Sequence, residues 1–220
     1  MIPSPPGRGL AMLARGYGWA VIVKPPGLRS VPGRGAGAED SVQARVPEVF
    51  RWADGGITPH RLDIETSGLM VVAMTKRVHR GLSRQFQQRK IGKAYEAVLD
   101  GEVEGDRGRI ELPLRLDWDR RPRQVVCRRE GRPASTLWRV VERHDGRTRV
   151  ELRPETGRTH QLRVHASTDR ATGGIGAPIA GDTLYGDPES AERLLLHATR
   201  LSFFDPSTGR PLRFHAPAPF

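Results

Sequence analysis

Short apolar runs rich in β-branched residues recur along this 220-residue chain, separated by clusters of Gly, Pro and Asp. Runs of this length, bounded by turn residues, predict β-strands rather than helices. The runs are Trp19–Val23, Leu69–Thr75, Lys93–Asp100, Arg109–Leu112, Gln124–Arg128, Thr136–Val141, Thr148–Arg153, Leu194–Phe204 and Pro211–Phe214. We expect those between Arg109 and Arg153 to form an antiparallel meander. The pattern predicts an α+β or mixed α/β fold around one large sheet.

Helical signals are fewer. Val78, Leu82 and Phe86 follow at i, i+4 and i+8, which predicts an amphipathic helix over Lys76–Lys90. Asp40 or Ser41 is suited to cap a short helix that runs through Val46, before Pro47. A third short helix is expected over Thr159–Ser167. The Pro- and Gly-rich segment 1–18 is expected to be loosely ordered.

The charge balance points to a polyanionic partner. The chain has 36 Lys and Arg against 25 Asp and Glu, a net charge of +11, which is most simply explained by nucleic acid binding. Arginine-favouring codon use accounts for the preference of Arg over Lys but not for the positive sign. The single cysteine, Cys127, excludes a disulfide scaffold and a four-cysteine zinc site. No secretory signal or bilayer-length apolar segment is evident, and we expect a cytoplasmic protein.

Two polar segments are candidates for chemistry. The first, His60–Gly68, is dense in polar side chains directly before a buried run, and loops held by a rigid strand commonly carry catalytic groups. In it Arg61 flanks Asp63 and would keep that carboxylate ionised; the alternative is a surface loop with a solvated ion pair. The second segment, Glu155–His165, contains two histidines. Their spacing of five does not match a helical zinc pair, so we expect no metal and expect His160 to order its loop.

Taken together, six segments resemble the RluA family of pseudouridine synthases. They occur in the family's order: Lys24–Leu28, His60–Leu69, Lys93–Tyr95, Gly157–Arg163, Gly181–Gly186 and Leu196–Ala198. The resemblance implies a pseudouridine synthase fold, with a mixed, mostly antiparallel sheet, flanking helices and a catalytic cleft across the sheet. It implies a single catalytic domain over residues 19–220, with no S4-like RNA-binding domain before it.

Two stretches bear on the place of the chain within that family. Asp117–Gln124 resembles the short members that modify a uridine in tRNA anticodon stem-loops and another in large-subunit rRNA. Asp169–Pro178 departs from the family, whose members have a shorter and more hydrophobic crossing there. We therefore expect RNA as the substrate and a different loop geometry near residues 169–178.

The resemblance also implies roles for individual residues. Asp63 is the catalytic carboxylate, acting at C1′ or C2′ of a flipped uridine, and Arg163 pairs with it and aims it. Tyr95 stacks on the flipped base and is the route for removal of the C5 proton. Arg61 enters the space that the base leaves. The remaining residues predicted to contact substrate or RNA are His60, Thr66, Arg158, His160, Arg121 and Arg123. Further candidates for phosphate contact are Arg77, Arg80, Arg84, Arg89 and Arg120; the alternative for the four on the predicted helix is a solvated surface.

The isomerisation involves neither redox chemistry nor phosphoryl transfer, so we expect no cofactor and no metal. The predicted partner is RNA, without DNA or a membrane, and the predicted state is a monomer. Two rival functions stay open from the residues alone. A hydrolytic nucleoside glycosylase would use the same carboxylate at C1′ and release free base, whereas a non-catalytic RNA-binding protein would use only the basic surface.

Overall fold

The computed structural model describes residues 9–33, 35, 38–54 and 56–220. The chain divides into two compact units. The first comprises the chain up to Lys93 together with Ala198–Pro219, and the second comprises Ala94–His197 together with Phe220. Within the described ranges, no helix is both long enough and apolar enough to cross a bilayer.

Each predicted strand segment overlaps an observed strand, whereas β1 and β6 were not predicted. The strands are β1 (Ala11–Gly16), β2 (Trp19–Lys24), β3 (Ser67–Ala73), β4 (Gly92–Leu99), β5 (Arg107–Glu111), β6 (Leu114–Leu116), β7 (Gln124–Val126), β8 (Ser135–His144), β9 (Arg147–Pro154), β10 (Leu196–Phe204) and β11 (Pro211–His215). The helices are α1 (Val42–Val49), α2 (Lys76–Gln87) and α3 (Gln161–Ser167).

In the first unit the strand order is β1-β2-β3-β10, and β11 pairs with β10. The β1–β2, β2–β3 and β10–β11 pairs are antiparallel, and Lys24 at the end of β2 lies opposite Gly68 of β3. The expectation that segment 1–18 is loosely ordered is wrong over Ala11–Gly16, which form β1. The prolines of this segment precede Gly9, so none interrupts the strand, and residues 1–8 lie outside the described ranges.

The two helices of this unit begin at side-chain caps. Ser41 accepts a hydrogen bond from the N–H of Ala44, but α1 runs past Pro47 to Val49 and not only to Val46. A proline at position 47 removes the bond to the carbonyl of Gln43, and Gln43 is exposed, so water can replace that bond. Thr75 caps α2 by accepting from the N–H of Val78.

The amphipathic helix predicted from Val78, Leu82 and Phe86 is confirmed as α2. Val78 and Leu82 are buried in the core of the first unit, and Phe86 packs against it. The helix ends at Gln87 and not at Lys90, because Arg89 takes a left-handed conformation with φ 56°.

In the second unit the order β4-β9-β8-β5 gives an antiparallel sheet. The predicted meander is wrong in one respect: in the described part of the chain, β6 and β7 form a separate two-stranded sheet, a hairpin inserted between β5 and β8. Reciprocal backbone hydrogen bonds between Leu114 and Arg132, of 3.0 and 2.8 Å, close the base of this insertion. Both units are mostly antiparallel with few helices, which confirms the predicted α+β class.

The third helix is shorter than predicted. It begins at Gln161 and not at Thr159, because His160 at its N-cap is left-handed with φ 53°. The segment after it, 169–178, folds back on the end of α3. Gly176 donates from its N–H to the carbonyl of Thr168, and Ile175 is buried in the core of the second unit.

Candidate active site

Asp63 lies in the loop that precedes β3, and the backbone on both sides of it is held by the first unit. Before it, Leu62 is bound twice by Ser30: its N–H donates to Ser30 Oγ at 3.0 Å, and Ser30 Oγ donates to its carbonyl at 2.8 Å. After it, the carbonyl of Ile64 accepts from Gly27 N–H and from Lys24 Nζ, each at 2.9 Å. Asp63 is half-buried, and its peptide neighbours are fixed.

Lys24 supplies the central contact of this arrangement. It is 0% exposed, and besides the Ile64 bond its Nζ donates to the carbonyls of Pro25 and Leu28, both at 2.8 Å. Burial lowers the pKa of Lys24 to about 7, an effect that the negative charge of Asp63 partly offsets. The structure therefore places an amine near the carboxylate that the sequence singled out. From the sequence, Lys24 was recognised only as part of the family segment Lys24–Leu28; the signal for its buried position was a lysine at the end of the apolar run Trp19–Val23.

His60 holds the start of the same loop. Its Nε2 accepts a hydrogen bond from the N–H of Val71 at 3.1 Å, and its ring stacks on Phe86 with centroids 4.5 Å apart. Burial, and to a smaller degree the positive charge of Lys93, lower the pKa of His60 to about 3, so the ring is neutral at physiological pH. His60 thereby ties the loop to β3 and α2, while its predicted contact with RNA stays a prediction.

At the end of the loop, Gly68 has no space for a side chain. Gly68 has φ 111°, and a Cβ there would lie 2.5 Å from both the N and the O of Ala198. Thr66 is buried, and its Oγ1 has no hydrogen-bond partner within the described residues. Arg61, in contrast, is exposed on the other side of Asp63. Of the three residues of this loop predicted to contact RNA, Thr66 is buried, His60 is half-buried and Arg61 offers an exposed side chain.

Arg163 is the central charged group of the second unit. It is 2% exposed on α3, and it donates from Nε to Asp182 Oδ2 at 2.8 Å and from Nη2 to Asp182 Oδ1 at 2.6 Å. Asp182 is fully buried and also accepts from the N–H groups of Leu184 and Tyr185. Sequence reasoning missed Asp182 as a partner, although it lies in the Gly181–Gly186 segment. The predicted pairing of Arg163 with Asp63 joins residues of the two units and stays a prediction.

Tyr185 adds a second constraint on Arg163. The guanidinium groups of Arg163 and Arg123 lie 5.3 and 5.2 Å from its ring centroid, within cation–π range. The Tyr185 hydroxyl accepts from the N–H of Gln124 at 2.7 Å and shares a hydrogen bond of 2.8 Å with His160 Nδ1. Burial raises the pKa of Tyr185, so the phenol stays protonated. His160 thus hydrogen-bonds within its own unit, in line with the expected ordering role.

The segment leading into α3 is stabilised by one amide side chain. Gln161 Oε1 accepts from Thr156 Oγ1 at 2.7 Å and from Arg158 N–H at 3.0 Å. Its Nε2 donates to the carbonyl of Ser135 and to Thr136 Oγ1, each at 2.9 Å. This set of contacts satisfies both ends of the buried amide and fixes the loop two residues before Arg163.

Tyr95 and the predicted RNA contacts occupy more open positions. Tyr95 is half-buried on β4, opposite Leu152 of β9, and packs against the core of the second unit. The guanidinium of Arg121 lies 4.3 Å from the ring centroid of Trp118, and Arg158 Nε donates to the carbonyl of Pro133. The arginines predicted on the α2 face are exposed: Arg77, Arg80, Arg84 and, beyond the helix end, Arg89. Their roles toward RNA stay predictions.

Comparison with known proteins decides the family. The family model described as RNA pseudouridylate synthase matches residues 18–168. The chain belongs to the RluA family of RNA pseudouridine synthases. It is 46% identical over 204 residues to the dual-specificity RNA pseudouridine synthase RluA of Yersinia pestis, covering 91% of this chain and 95% of the relative. It is 45% identical to the RluA of Escherichia coli strain K12, covering 91% and 89%.

Solved structures agree with this assignment. The chain is similar to human RNA pseudouridylate synthase domain containing 1, with 29% identity and a TM-score of 0.77 over 99% of this chain and 87% of that one. A second human relative, RNA pseudouridylate synthase domain containing 4, gives 25% identity and a TM-score of 0.74 over 95% and 88%. The predicted pseudouridine synthase fold and enzyme class are confirmed, and the six sequence segments identified an RluA-family member correctly.

Proposed function

We propose that this RNA pseudouridine synthase converts uridines of structured RNA, in tRNA anticodon stem-loops, in large-subunit rRNA or in both, and that Asp63 is its catalytic carboxylate. The observation that carries the proposal is the loop around Asp63. Ser30 holds the peptide before the carboxylate and Lys24 holds the peptide after it. A carboxylate whose backbone is held on both sides keeps its direction when a flexible RNA docks.

The reaction exchanges one glycosidic bond for another. The bond between N1 of the base and C1′ of the ribose breaks, the base turns, and C5 bonds to C1′; C5 loses a proton and N1 gains one, so no atom is added or lost. An anionic carboxylate serves this reaction either by adding to C1′ or by assisting loss of the C2′ proton. Both routes need the target base outside its stack, which costs a few kcal/mol that RNA contacts must offset.

Charge near Asp63 supports this role. The amine of Lys24 lies within electrostatic reach of the carboxylate and, when protonated, attracts its negative charge. Arg163 is the second proposed cation, and Asp182 and Tyr185 hold its guanidinium in a fixed orientation. We propose Tyr95 as the aromatic partner of the flipped base and as the route for the C5 proton. We further propose that Arg61, which is exposed, takes the place of the base in the stack.

The proposed substrates are inferred from the names of the relatives. The curated RluA proteins are named dual-specificity enzymes, and the chain covers nearly all of their length. The net charge of +11 suits an RNA partner. Action on tRNA and rRNA would place the enzyme in the cytoplasm, and we propose that it acts as a monomer.

Replacement of Asp63 by Asn tests the proposal. The change removes the charge and keeps the shape, so pseudouridine formation in an anticodon stem-loop should be lost while RNA affinity stays within about threefold of wild type. Glu39→Gln, at an exposed carboxylate of the same unit, is the control and should keep full activity. Residual activity of Asp63→Asn within tenfold of wild type would reject Asp63 as the catalytic group.

Two further measurements separate the rival functions and define the substrate. Release of free uracil from treated RNA would identify a glycosylase, and RNA binding without any new pseudouridine would identify a non-catalytic protein. Pseudouridine mapping of total tRNA and rRNA from cells with and without the protein should show which uridines depend on it. Loss of sites in both RNA classes is expected.

A further inference from the structure

The second unit contains a cavity outside the residues proposed for catalysis. It has a volume of about 370 Å³ and lies between the β6–β7 hairpin and residues 157–159, which lead into α3. This volume is at the lower end of the range of small-molecule sites. Neither Tyr95, Arg163 nor Asp182 lines it, so it is distinct from the proposed site of bond exchange.

One wall of the cavity is an exposed aromatic ring. Trp118 is 63% exposed. The guanidinium of Arg121 lies 4.3 Å from its ring centroid. A flat indole beside a guanidinium, at the edge of a cavity, is the arrangement that proteins use to stack unpaired nucleobases.

The loop that carries Trp118 is held in a closed conformation. The N–H of Asp117 donates to the carbonyl of Arg123 at 2.9 Å, and Arg120 Nε donates to Asp117 Oδ2 at 2.9 Å. The N–H of Arg123 donates to the carbonyl of Arg120, also at 2.9 Å. The exposed indole is therefore presented by a pinned turn, so little conformational entropy is lost when a ring stacks on it.

The polar lining of the cavity fits a nucleotide. Arg115, Arg132 and Arg158 supply positive charge suited to phosphate oxygens. Among the lining residues Glu130 carries the carboxylate, and it is exposed, with Oε2 3.9 Å from Arg115 Nε. A carboxylate accepts hydrogen bonds from exocyclic amines of bases such as cytosine. The lining thus combines a stacking surface, phosphate-binding cations and an acceptor for an amine.

We propose that this cavity binds a second, unstacked nucleobase of the substrate RNA, one that carries an exocyclic amine, stacked on Trp118 and hydrogen-bonded to Glu130. The inference rests on the proposed function, because it needs an RNA substrate. Residues 157–159 border the cavity and lie on the loop that Gln161 fixes before Arg163. Occupation of the cavity would therefore select which uridine reaches the catalytic groups, and Trp118 and Glu130 would be determinants of RNA specificity.

The test measures binding in the inactive Asp63→Asn background, so that turnover does not enter. An anticodon stem-loop RNA is prepared with 2-aminopurine or an abasic site at one loop position at a time. At one position, distinct from the target uridine, 2-aminopurine fluorescence should be quenched on binding. Trp118→Ala should remove that quenching and weaken affinity about tenfold to a hundredfold. Trp118→Phe should retain most of the quenching and most of the affinity, because it keeps a stacking ring.

Matched variants show whether the effect belongs to this cavity. Trp52→Ala removes another exposed tryptophan, in the first unit, and should leave affinity unchanged. With the abasic RNA at the quenched position, Trp118→Ala should cause no further loss. Glu130→Gln should reduce discrimination between amine-bearing bases and uracil at that position, whereas Glu142→Gln, at an exposed carboxylate on β8, should not.

The failing outcomes are separable. Equal affinity of the Trp118→Ala and Trp52→Ala variants for an RNA that the wild type modifies would overturn the second-base site and leave the proposed function intact. The absence of pseudouridine formation by the wild type would overturn the proposed function. Trp118-dependent binding in that case would still support a base-binding cavity. Thermal unfolding of each variant identifies any loss of RNA affinity that is caused by misfolding. If Trp118→Ala is misfolded, the affinity of the Trp118→Phe variant decides the test.

Discussion

Arg163 and Asp182 form a buried, two-point ion pair, with Nε to Oδ2 at 2.8 Å and Nη2 to Oδ1 at 2.6 Å. Both side chains are almost completely removed from water, at 3% and 0% exposure. A buried charge that loses its partner is costly, and a guanidinium held at two points has one orientation. This pair therefore couples the stability of the second unit to the direction in which Arg163 points.

Asp182→Asn should lower both stability and rate. The change leaves the Arg163 charge buried without its counterion, so the free energy of unfolding should fall by about 3–5 kcal/mol. Below its unfolding temperature the variant should still bind RNA, but its single-turnover rate at saturating RNA should drop at least tenfold, because the guanidinium is no longer aimed. As a control, Asp100→Asn disrupts the half-exposed pair with Arg147 and should cost less than about 1 kcal/mol with no change in rate.

Arg163→Lys should keep the positive charge but lose the two-point geometry of the guanidinium. An ammonium is a point charge and cannot bind both oxygens of Asp182 as a guanidinium does, so the variant should be folded yet slow. Single-turnover kinetics separate this role from a simple RNA contact. A lost phosphate contact would raise KM and leave the saturated rate unchanged, whereas a lost catalytic arginine reduces the saturated rate. A near-normal saturated rate for Arg163→Lys and Arg163→Ala would remove Arg163 from the active site.

Lys24→Met should loosen the Asp63 loop. The carbonyls of Pro25, Leu28 and Ile64 lose the Nζ donor; Ile64 keeps its bond from Gly27 N–H, whereas the buried Leu28 carbonyl loses the donor that Lys24 supplied, and an unsatisfied buried acceptor costs roughly 1–3 kcal/mol. We expect a stability loss of about 2 kcal/mol or more, faster hydrogen exchange at the amide of Leu62, and a rate at least tenfold lower. Lys76→Met replaces an exposed lysine at the start of α2 and should leave stability within about 0.5 kcal/mol. If the Leu62 amide exchanges at the wild-type rate in the Lys24 variant, Lys24 does not hold the Asp63 loop.

Buried histidines should make the fold sensitive to mild acid. Burial lowers the pKa of His60 to about 3 and those of His165 and His197 to about 4, against 6.5 for an unburied histidine. Between about pH 6.5 and pH 4 the unfolded chain binds more protons, so stability falls as the pH falls. Each histidine should contribute about 1.4 kcal/mol per pH unit in this window. Urea unfolding at a series of pH values measures the slope.

His165 provides the specific check of that slope. Its Nε2 donates to the carbonyl of Leu112, and its Nδ1 lies 2.9 Å from Thr136 Oγ1, a hydroxyl that also accepts from Gln161. This arrangement suits the neutral ring. His165→Gln should flatten the slope by about 1.4 kcal/mol per pH unit, whereas His144→Gln, at a histidine 76% exposed, should leave it unchanged. Equal slopes for the two variants would refute the assignment.

Binding to RNA should weaken steeply with salt. For a single-stranded segment the slope of log K against log salt is roughly −0.7 for each phosphate contacted. Arg80→Gln and Arg84→Gln remove exposed charges of α2, and each should reduce the magnitude of the slope by about 0.7 if it contacts a phosphate. Arg109→Gln removes a guanidinium that Glu155 already binds and serves as the control. An unchanged slope in the α2 variants would show that these arginines belong to a solvated surface and do not contact phosphates.

The strands and the amphipathic helix were predictable because their signals are local. Val78, Leu82 and Phe86 repeat with the helical period, and their burial follows from that period alone. The strand β1 was missed because Pro and Gly before it and Gly after it obscured a short run. The continuation of α1 past Pro47 depended on the exposure of Gln43, which no local pattern reports.

The contacts that hold the site were not predictable, because they join distant residues. Ser30 and Leu62 are 32 positions apart, and Lys24 and Ile64 are 40 apart. Asp63 and Arg163 were singled out from motifs as the proposed reacting groups. Lys24 holds the Asp63 loop and Asp182 holds the Arg163 side chain. Such positioning residues are recognised by their contacts in the folded chain, which a local sequence pattern does not report. The family resemblance therefore indicated the proposed chemistry before the structure showed how two of its groups are held.

The inserted β6–β7 hairpin has an evolutionary consequence. Its base is closed by backbone bonds between Leu114 and Arg132, and its tie to Tyr185 uses the main-chain N–H of Gln124. Every residue except proline carries that N–H. Position 124 can therefore change to any residue except proline without losing the hydrogen bond to Tyr185. The turn that bears Trp118 can be lengthened, shortened or exchanged between homologues without shifting the register of β5 on β8. If Trp118 binds a base as proposed, selection can change the RNA that such an enzyme recognises while the residues around Asp63 stay as they are.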